Sequence, residues 1–394
     1  MRIAHLADLH LGRKLNDYSL IENQRKILEQ VVEKIVKKEI ETVIIAGDVY
    51  DSPVPDAEAV AVLNEFLSAL KKEDKNVFMI AGNHDRGDYI EYGSELFKEM
   101  DIHVSGVWKG KLECVDLLDR FGPLHVWCLP YLTPAIVNRY IEKEEDYVSD
   151  YTGAVRHALS CGDIHFDERN ILIAHQYVDG AVVTVDGSED YLAFGHEAVD
   201  PAVFDGFEYV ALGHIHTAQG VYKDTIRYSG APLKFTETEM NKECSFTFVT
   251  LADKGIYRIS TVLLTPYREI EILTGTFKEL MMQDVVENHR DNYLHIVLDE
   301  EEDIPDAITV LREKYPYILA VSYADGRIQT NHVIRTEDDF TVKTEIQELL
   351  LQEPMDLFSE FYERQNDRKL TGEQKEYLTE LIGTIFQEDA NETA

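Results

Sequence analysis

The stretch that decides the fold is Ile3-Ala4-His5-Leu6-Ala7-Asp8-Leu9-His10-Leu11-Gly12, close to the first residue of the chain. Its first five residues read as a buried strand, and Asp8 and His10 follow where that strand ends. Two-residue spacing in an extended chain places both side chains on the same side. The stretch therefore predicts a strand that ends in two residues of metal-ligand type.

The same pattern recurs after four later predicted strands, at 42–46, 77–81, 171–174 and 209–212. The side chains that follow these strands are Asp48, Asn83, His84, His175, His214 and His216. Ligands of open α/β sheets bind at the carboxyl ends of strands, so we expect these side chains to lie together. Three glycines each stand directly before a polar residue, which permits a tight turn and a close backbone approach: Gly47, Gly82 and Gly213.

Helices alternate with these strands. A helix is predicted over 20–36, where apolar residues form a stripe of helical period with Gln24 as its one break. A second helix is predicted over 57–71. The alternation indicates an α/β layered fold with largely parallel strand pairing. At 394 residues the chain exceeds the usual size of one hydrophobic core, so we expect more than one domain.

The net charge is strongly acidic, with 74 acidic residues against 38 basic ones and a formal charge of −36. Surfaces that bind DNA are normally basic, because contacts to phosphates supply most of the affinity. Bound divalent cations reverse the local sign within one cleft. We therefore expect that, if the chain acts on DNA, a partner supplies much of the affinity for DNA.

The cysteine pattern and hydropathy favour a cytoplasmic location. The four cysteines lie far apart without a C-x-x-C pair, which is typical of reduced thiols rather than of a disulfide framework. No apolar run is long enough to cross a bilayer, and the first strand leads straight to Asp8 without a signal peptide. We expect no membrane association.

The ligand types indicate which ions are plausible. Imidazole, carboxylate and amide oxygen together suit manganese, iron or zinc, and are too rich in nitrogen for a calcium or magnesium cage. A carboxylate has two oxygens, so one aspartate can bridge two ions. Two such ions can together activate a water nucleophile and neutralise the charge of a phosphate. We expect two divalent ions, and these ligand types suit manganese, iron and zinc alike.

The motifs, in order, resemble the signature of the calcineurin-type metallophosphoesterases. They are Asp8-x-His10, Gly47-Asp48-x-x-Asp51, Gly82-Asn83-His84-Asp85, His175 and Gly213-His214-x-His216. The flanking residues 6–12, 209–216 and 228–233 are further similar to the family of SbcD nucleases, the nuclease subunits of bacterial SbcCD complexes. The resemblance implies a four-layer α/β sandwich, in which two sheets are flanked by helices.

The resemblance also implies residue roles. One metal would be held by Asp8, His10, Asp48 and His216, and the second by Asp48, Asn83, His175 and His214, with Asp48 as the bridge. The catalytic candidates are His84, as a proton donor or transition-state stabiliser, and Asp51. Archaeal and eukaryotic relatives usually carry histidine where this chain has Asp51. A carboxylate there can orient His84 but cannot act as a cation, and both Asp51 and Asp85 can equally shape loops.

Three segments are expected: a metallophosphoesterase domain at 1–265, a capping domain at 266–340 and a helical docking segment at 341–394. Predicted strands at 268–273, 293–298 and 318–323 alternate with helices at 276–282 and 305–314, which indicates a βαβαβ unit. By resemblance this unit guides DNA to the metals, and the alternative is a purely structural appendage. Two apolar stripes in the last segment, 357–362 and 377–386, either dock on a partner or pack on their own chain.

The functional hypothesis is a metal-dependent DNA nuclease subunit that acts as exonuclease and endonuclease at duplex ends and hairpins. By resemblance it works in DNA repair, recombination and replication with an SbcC-type coiled-coil ATPase, and forms a homodimer within a heterotetramer. One alternative is another enzyme of the superfamily, acting on a nucleotide or other small phosphodiester. A second is a non-catalytic scaffold for DNA ends, and a third is a degenerate centre that binds no metal. The nine histidines outside the motifs are expected on the surface or satisfied in the core.

Overall fold

Two six-stranded sheets form the main body in a computed structural model of the chain, which describes residues 1–182, 197–300 and 302–324. Strands are numbered in chain order. From one edge to the other, the first sheet contains β14 (Tyr257–Leu263), β13 (Ser245–Leu251), β1 (Arg2–Leu6), β4 (Thr42–Ala46), β5 (Asn76–Ile80) and β6 (Ile102–Ser105). The second contains β11 (Gln219–Val221), β12 (Lys223–Tyr228), β10 (Tyr209–Gly213), β9 (Asn170–His175), β8 (Gly122–Leu129) and β7 (Glu113–Asp119).

Parallel pairing dominates the centre of both sheets, as the strand–helix alternation predicts. β4 pairs in parallel with both β1 and β5, and β9 pairs in parallel with both β8 and β10. Antiparallel strands lie toward the edges, where β13 pairs with β1 and β7 with β8. In each sheet, therefore, the carboxyl ends of the central strands lie side by side at the same end of the sheet.

Helices cover the outer faces of both sheets. The first sheet is covered by α1 (Ile21–Lys37) and α2 (Ala57–Lys72), and the second by α5 (Pro134–Asn138) and α6 (Tyr151–Ser160). Two short helices, α3 (Gly87–Ile90) and α4 (Ser94–Lys98), follow β5. The resulting order of helix, sheet, sheet and helix confirms the predicted four-layer sandwich.

Three hydrophobic cores hold these layers together. Between the sheets lie Ile44 and Phe78 from the first sheet against Ile171 and Tyr209 from the second. The alternate residues of β9, such as Leu172, point to the opposite side and pack against helices. Because both faces of the central strands are buried, these strands read as nearly continuous apolar runs.

A smaller unit follows β14 in the chain and has a core of its own. Its three parallel strands are β15 (Ile270–Gly275), β16 (Tyr293–Leu298) and β17 (Ile318–Tyr323). Helices Phe277–Leu280, Gln283–His289 and Ala307–Arg312 connect them. The order agrees with the predicted βαβαβ unit and adds one helix to it.

Polar side chains of the first domain hold this smaller unit in place. Oδ1 of Asn23, on α1, accepts a hydrogen bond from the Tyr267 N–H at 2.8 Å, and its Nδ2 donates to the Arg268 carbonyl at 2.9 Å. The hydroxyl of Tyr18 donates to the Ile318 carbonyl at 3.1 Å. Tyr18 lies on a short hairpin of β2 (Lys14–Leu15) and β3 (Tyr18–Ser19), which begins four residues after His10.

The predicted limits at 265 and 340 stay predictions, and both stripes of the last segment, 357–362 and 377–386, lie outside the described residues. The residues described in the structure all belong to one compact unit, Met1–Ile328. Among them, no helix combines the length and apolar character that a membrane span requires. All four cysteines are free thiols, as their spacing predicts.

Candidate metal centre

All seven predicted ligands come together where the carboxyl ends of the central strands of the two sheets face each other. Asp8 and His10 follow β1, Asp48 follows β4 and Asn83 follows β5. From the second sheet, His175 ends β9, and His214 and His216 follow β10. The ligand roles themselves remain proposals, but the shared location is an observed property of the fold.

The backbone adopts unusual conformations at four of these positions. Non-glycine residues rarely have positive φ, yet φ is 53° at Asp8, 43° at His10, 49° at Asp48 and 101° at His214. Hydrogen bonds between loops stabilise these conformations. The Asp8 N–H donates to the Gly47 carbonyl at 3.1 Å, and the His214 N–H donates to the Asp8 carboxylate at 2.9 Å. Backbone strain of this kind is typical of functional sites.

Two glycines allow the loops to approach this closely. A β-carbon on Gly47 would lie 2.2 Å from Nδ1 of His175, and one on Gly82 would lie 2.1 Å from Oδ1 of Asp48. Gly47 also has a φ of 85°. No other residue type fits either position, which agrees with the close backbone approach expected from the sequence.

The first ligand cluster consists of Asp8, His10 and His216, whose ligand atoms lie within 4.8 Å of one another. Nε2 of His10 lies 3.1 Å from Nε2 of His216. Metal–ligand bonds of about 2.1 Å at right angles place ligand atoms about 3 Å apart. Among the described residues, the buried Oδ2 of Asp8 has no hydrogen-bond partner. The cluster therefore fits a divalent cation.

The second cluster centres on Asn83. Its Oδ1 lies 3.0 Å from Nε2 of His175 and 3.0 Å from Nδ1 of His214. Oδ2 of Asp48 lies 3.3 Å from Nε2 of His175 and 3.6 Å from Nε2 of His10. The Asp48 carboxylate thus lies between the two clusters, which is the position that a bridging ligand needs.

The charges of these side chains respond to burial and to one another. Burial opposes the charge of Asp48, but His175 and His10 beside it hold the pKa of that carboxyl well below its usual range. Burial also disfavours a charged His175, yet the Asp48 carboxylate outweighs it and raises the pKa of His175 to about 9. Burial and the neighbouring His175 lower the pKa of His214 to about 3. A carboxylate and an uncharged imidazole are the forms that bind metal, so Asp48 and His214 already have these forms, whereas His175 would lose its proton on binding an ion.

The Asp51 side chain contacts a proposed ligand. Its Oδ1 lies 3.3 Å from Nδ1 of His10 and 2.9 Å from Nη1 of Arg13. Asp51 meets His84 through the backbone, because Nδ1 of His84 lies 3.3 Å from the Asp51 carbonyl oxygen. The His84 ring stands edge-on to His10, with 4.8 Å between the ring centroids. The contact with His84 therefore does not depend on the carboxylate.

Asp85 joins the loops that follow β4 and β5. Its carboxylate accepts hydrogen bonds from the N–H groups of Val49 at 3.0 Å, Tyr50 at 2.9 Å and Gly82 at 2.9 Å. Burial and the charge of Asp48 raise the pKa of Asp85 to about 6 against the effect of these donors. Of the two roles open to Asp85 from the sequence, its contacts favour the shaping of loops.

Gln24 supports the loop that carries the first two ligands. Its Oε1 accepts from the Gly12 N–H at 3.0 Å, and its Nε2 donates to the carbonyls of His10 at 2.6 Å and Leu9 at 3.2 Å. The side chain is 1% exposed. Sequence reasoning noticed the polar break in the α1 stripe but assigned it no role. The break was the signal, because a buried amide needs hydrogen-bond partners.

Two further contacts escaped the sequence analysis because they join distant parts of the chain. Nδ1 of His175 lies 2.8 Å from the carbonyl oxygen of Ala46. Nδ1 of His216 lies 3.1 Å from Oε1 of Glu239. Neither contact follows a spacing motif. A contact with a backbone carbonyl cannot be predicted from residue types, because every residue has one.

Two of the histidines outside the motifs, His5 and His125, have protein partners, as expected, while His196 and His332 lie outside the described residues. Nδ1 of His5 lies 2.8 Å from the hydroxyl of Tyr209 in the buried space between the sheets. The ring of His125 lies between two carboxylates, 2.7 Å from Asp116 and 2.9 Å from Glu168. Neither contact requires a metal.

Comparisons with known proteins identify relatives of this chain. A family model described as calcineurin-like phosphoesterase matches residues 1–218. A second, the SbcD_C model described as type 5 capsule protein repressor C-terminal domain, matches residues 266–366. The SbcD subunit of the SbcCD nuclease from Staphylococcus epidermidis is 29% identical over 396 residues, which cover 99% of this chain and 100% of that protein. The crystal structure of a dimetal phosphatase from Danio rerio aligns with 66% of this chain and 95% of that one, at 14% identity and a TM-score of 0.40.

Proposed function

Because the chain belongs to the calcineurin-like phosphoesterase family, we propose that it is the metal-dependent DNA nuclease subunit of a two-component repair complex. The observation that carries the proposal is the Asp48 carboxylate, which lies between two clusters of imidazole, carboxylate and amide ligands. The full-length similarity to the SbcD nuclease of Staphylococcus epidermidis supports DNA as the substrate.

The two clusters would hold two divalent ions through Asp8, His10, Asp48, Asn83, His175, His214 and His216. When bound, such ions supply positive charge for the phosphate and lower the pKa of an attacking water. We propose manganese as the ion, with iron and zinc as alternatives that the same mixed nitrogen and oxygen ligands suit. The chain's own residues hold Asp48 charged and His214 uncharged before any ion arrives.

We assign His84 the transfer of a proton to the leaving oxygen. Its Nδ1 lies against the Asp51 carbonyl, which can only accept a hydrogen bond, so Nδ1 carries a hydrogen and Nε2 is the nitrogen that faces away from this contact. Imidazole is the side chain that changes charge near neutral pH, which suits this role. We assign Asp51 the positioning of the proposed metal ligand His10, because its carboxylate contacts the His10 ring.

The proposed activity covers exonuclease and endonuclease cleavage at duplex ends and hairpins, in repair, recombination and replication in the cytoplasm. The net charge of −36 supports a partner that supplies much of the affinity for DNA. We propose a coiled-coil ATPase of the SbcC type as that partner, docked on the stripes at 357–362 and 377–386.

We further propose a homodimer within the complex. Large apolar side chains that follow the Asp51 and His84 motifs in the chain support it, because Tyr92 is 84% exposed, Leu96 73% and Val54 72%. Exposed apolar side chains of this size are available to an interface. Light scattering on the purified chain should give twice the monomer mass, and a monomer mass at high protein concentration would contradict this part.

The experiment that tests the nuclease proposal compares three substrates in the presence of manganese. We expect cleavage of hairpin DNA and of bis-p-nitrophenyl phosphate, with much slower hydrolysis of the monoester p-nitrophenyl phosphate. Hydrolysis of the small diester without cleavage of DNA would favour an enzyme for small phosphodiesters instead. Tight DNA binding without cleavage of any substrate would favour a non-catalytic scaffold.

A further inference from the structure

A carboxylate stands behind one of the proposed ligands. Nε2 of His216 faces His10 at 3.1 Å, and Nδ1 of the same ring faces Oε1 of Glu239 at 3.1 Å. An imidazole that offers Nε2 to a cation must carry its hydrogen on Nδ1. Nδ1 therefore donates to Glu239, which fixes both the tautomer and the plane of the ring.

Glu239 is itself held in place. It ends the 3-10 turn Glu237–Glu239 and is 8% exposed. Its second oxygen, Oε2, accepts from the Phe235 N–H at 2.6 Å and lies 3.5 Å from Nζ of Lys242. The Phe235 ring packs against His216, with 5.4 Å between centroids. The carboxylate is thus buried and held by partners other than His216.

The other imidazoles of the centre have different supports. Nδ1 of His175 meets a neutral carbonyl, that of Ala46, at 2.8 Å. Nδ1 of His10 lies 3.3 Å from Asp51, whose side chain is 29% exposed. A buried carboxylate holds a ring N–H more strongly than a neutral carbonyl or a solvated carboxylate does. Of these three, His216 has the strongest electrostatic support.

We propose that Glu239 is a positioning residue for His216 and strengthens the binding of the ion at the cluster of Asp8, His10 and His216. The inference rests on the proposed function in one respect only, namely that the centre binds divalent ions. A carboxylate in this position typically contributes about 10-fold to 100-fold to metal affinity. The ion at the cluster around Asn83 does not depend on Glu239.

The test measures manganese binding to the full chain by calorimetry and by electron paramagnetic resonance. In Glu239→Gln the side chain can still accept a hydrogen bond but has lost its charge. We expect one of the two ions to bind about 10-fold to 100-fold more weakly and the other to bind as in wild type. The matched control is Glu237→Gln on the same turn, which removes the same charge from a side chain that contacts His295 at 2.9 Å. The control should bind both ions as wild type does.

A second variant separates the effect on His216 from the effect on Lys242, which Glu239→Gln leaves without its charged neighbour. In Glu239→Gln/Lys242→Gln both charges of the pair are removed. One of the two ions should still bind more weakly than in wild type. Wild-type affinity for both ions in either Glu239 variant would overturn the inference, as would equal weakening of both ions. Failure of the wild-type chain to bind ions would instead overturn the proposed function.

Discussion

At the residue scale, the centre depends on backbone conformations that are unfavourable in isolation. Positive φ at Asp8, His10 and Asp48 costs on the order of 1–3 kcal/mol at each position. The surrounding hydrogen bonds and the glycine at 47 offset this cost by fixing each loop against its neighbour. The ligands are therefore in place before an ion binds, and substitutions that loosen the loops should weaken metal binding without touching a ligand.

The first prediction separates metal binding from chemistry at His84. His84→Gln should bind two ions as wild type does, because none of the proposed ligands is altered. Cleavage should fall by roughly 100-fold or more, the usual scale for the loss of a positioned acid. Metal stoichiometry and single-turnover cleavage of hairpin DNA are the measurements. Cleavage near the wild-type rate would show that His84 has another role.

The second prediction concerns His5 and the stability of the metal-free chain. Burial and the charge of Arg227 lower the pKa of His5 to about 3. In the unfolded chain this pKa is about 6.5, so only the unfolded state takes up the proton as the pH falls from about 6.5 toward 3. Stability that is fully present above pH 6.5 is thus lost by up to about 1.4 kcal/mol per pH unit within that window.

His5→Gln should remove this contribution and make the free energy of unfolding less dependent on pH. Urea unfolding in the presence of a chelator, from about pH 7.5 to about pH 5, measures the slope. His165→Gln is the matched control, because the His165 side chain is 60% exposed. Parallel curves for His5→Gln and wild type would contradict the prediction.

At the scale of elements, the sequence predicted those whose burial produces a recognisable pattern of apolar residues. β4, β9 and β10 are buried on both faces and read as apolar runs, and α1 has a clear stripe. Sequence reasoning missed β7, whose exposed face carries Asp116, and the antiparallel pair β13 and β14. These strands are specified by their pairing partners rather than by their own composition.

The third prediction concerns Gln24 on α1. Gln24→Leu completes the apolar stripe, so the helix should form, but the three hydrogen bonds to the loop at 9–12 are lost. The Leu9 carbonyl and the Gly12 N–H then lose their partner, which costs on the order of 1–3 kcal/mol for each group, while the His10 carbonyl keeps the Arg13 N–H at 3.0 Å. We expect weaker binding of the ion that His10 would hold, by about 10-fold or more.

The control for this prediction is Gln30→Leu on the same helix, where the side chain bonds Thr265 and lies far along the chain from the ligand loop. Circular dichroism should show both variants folded. Unchanged metal affinity in Gln24→Leu would mean that the loop keeps its conformation without the amide.

At the scale of the whole molecule, the sequence predicted the ligand set because each ligand stands at or after the end of a predicted strand. All but His175 also lie within two residues of a glycine or in an alternating motif. Asp48, Asn83 and His214 all directly follow a glycine. It could not predict Glu239, which meets His216 across 23 residues of chain with no fixed spacing. Nor could it predict Asn23, whose contacts with residues 267 and 268 depend on the packing of the smaller unit.

The fourth prediction tests whether the chain acts as one subunit of a complex with an ATPase. Removal of residues 341–394 should leave metal binding and manganese-dependent cleavage of short substrates intact, since no proposed ligand lies beyond His216. Co-purification with the coiled-coil ATPase should be lost, because the apolar stripes at 357–362 and 377–386 are removed. The double variant Leu381→Asp/Phe386→Asp should have the same effect. Retained binding of the ATPase by the truncated chain would refute the docking proposal.

The measurement that tests the central claim most directly is a paired count of bound manganese and cleavage of hairpin DNA in wild type and in Asp48→Asn. The account predicts two ions per wild-type chain with metal-dependent cleavage. In Asp48→Asn it predicts the loss of most bound metal and of all detectable cleavage, because one carboxylate serves both ions. Two tightly bound ions with DNA cleavage in Asp48→Asn would contradict the account.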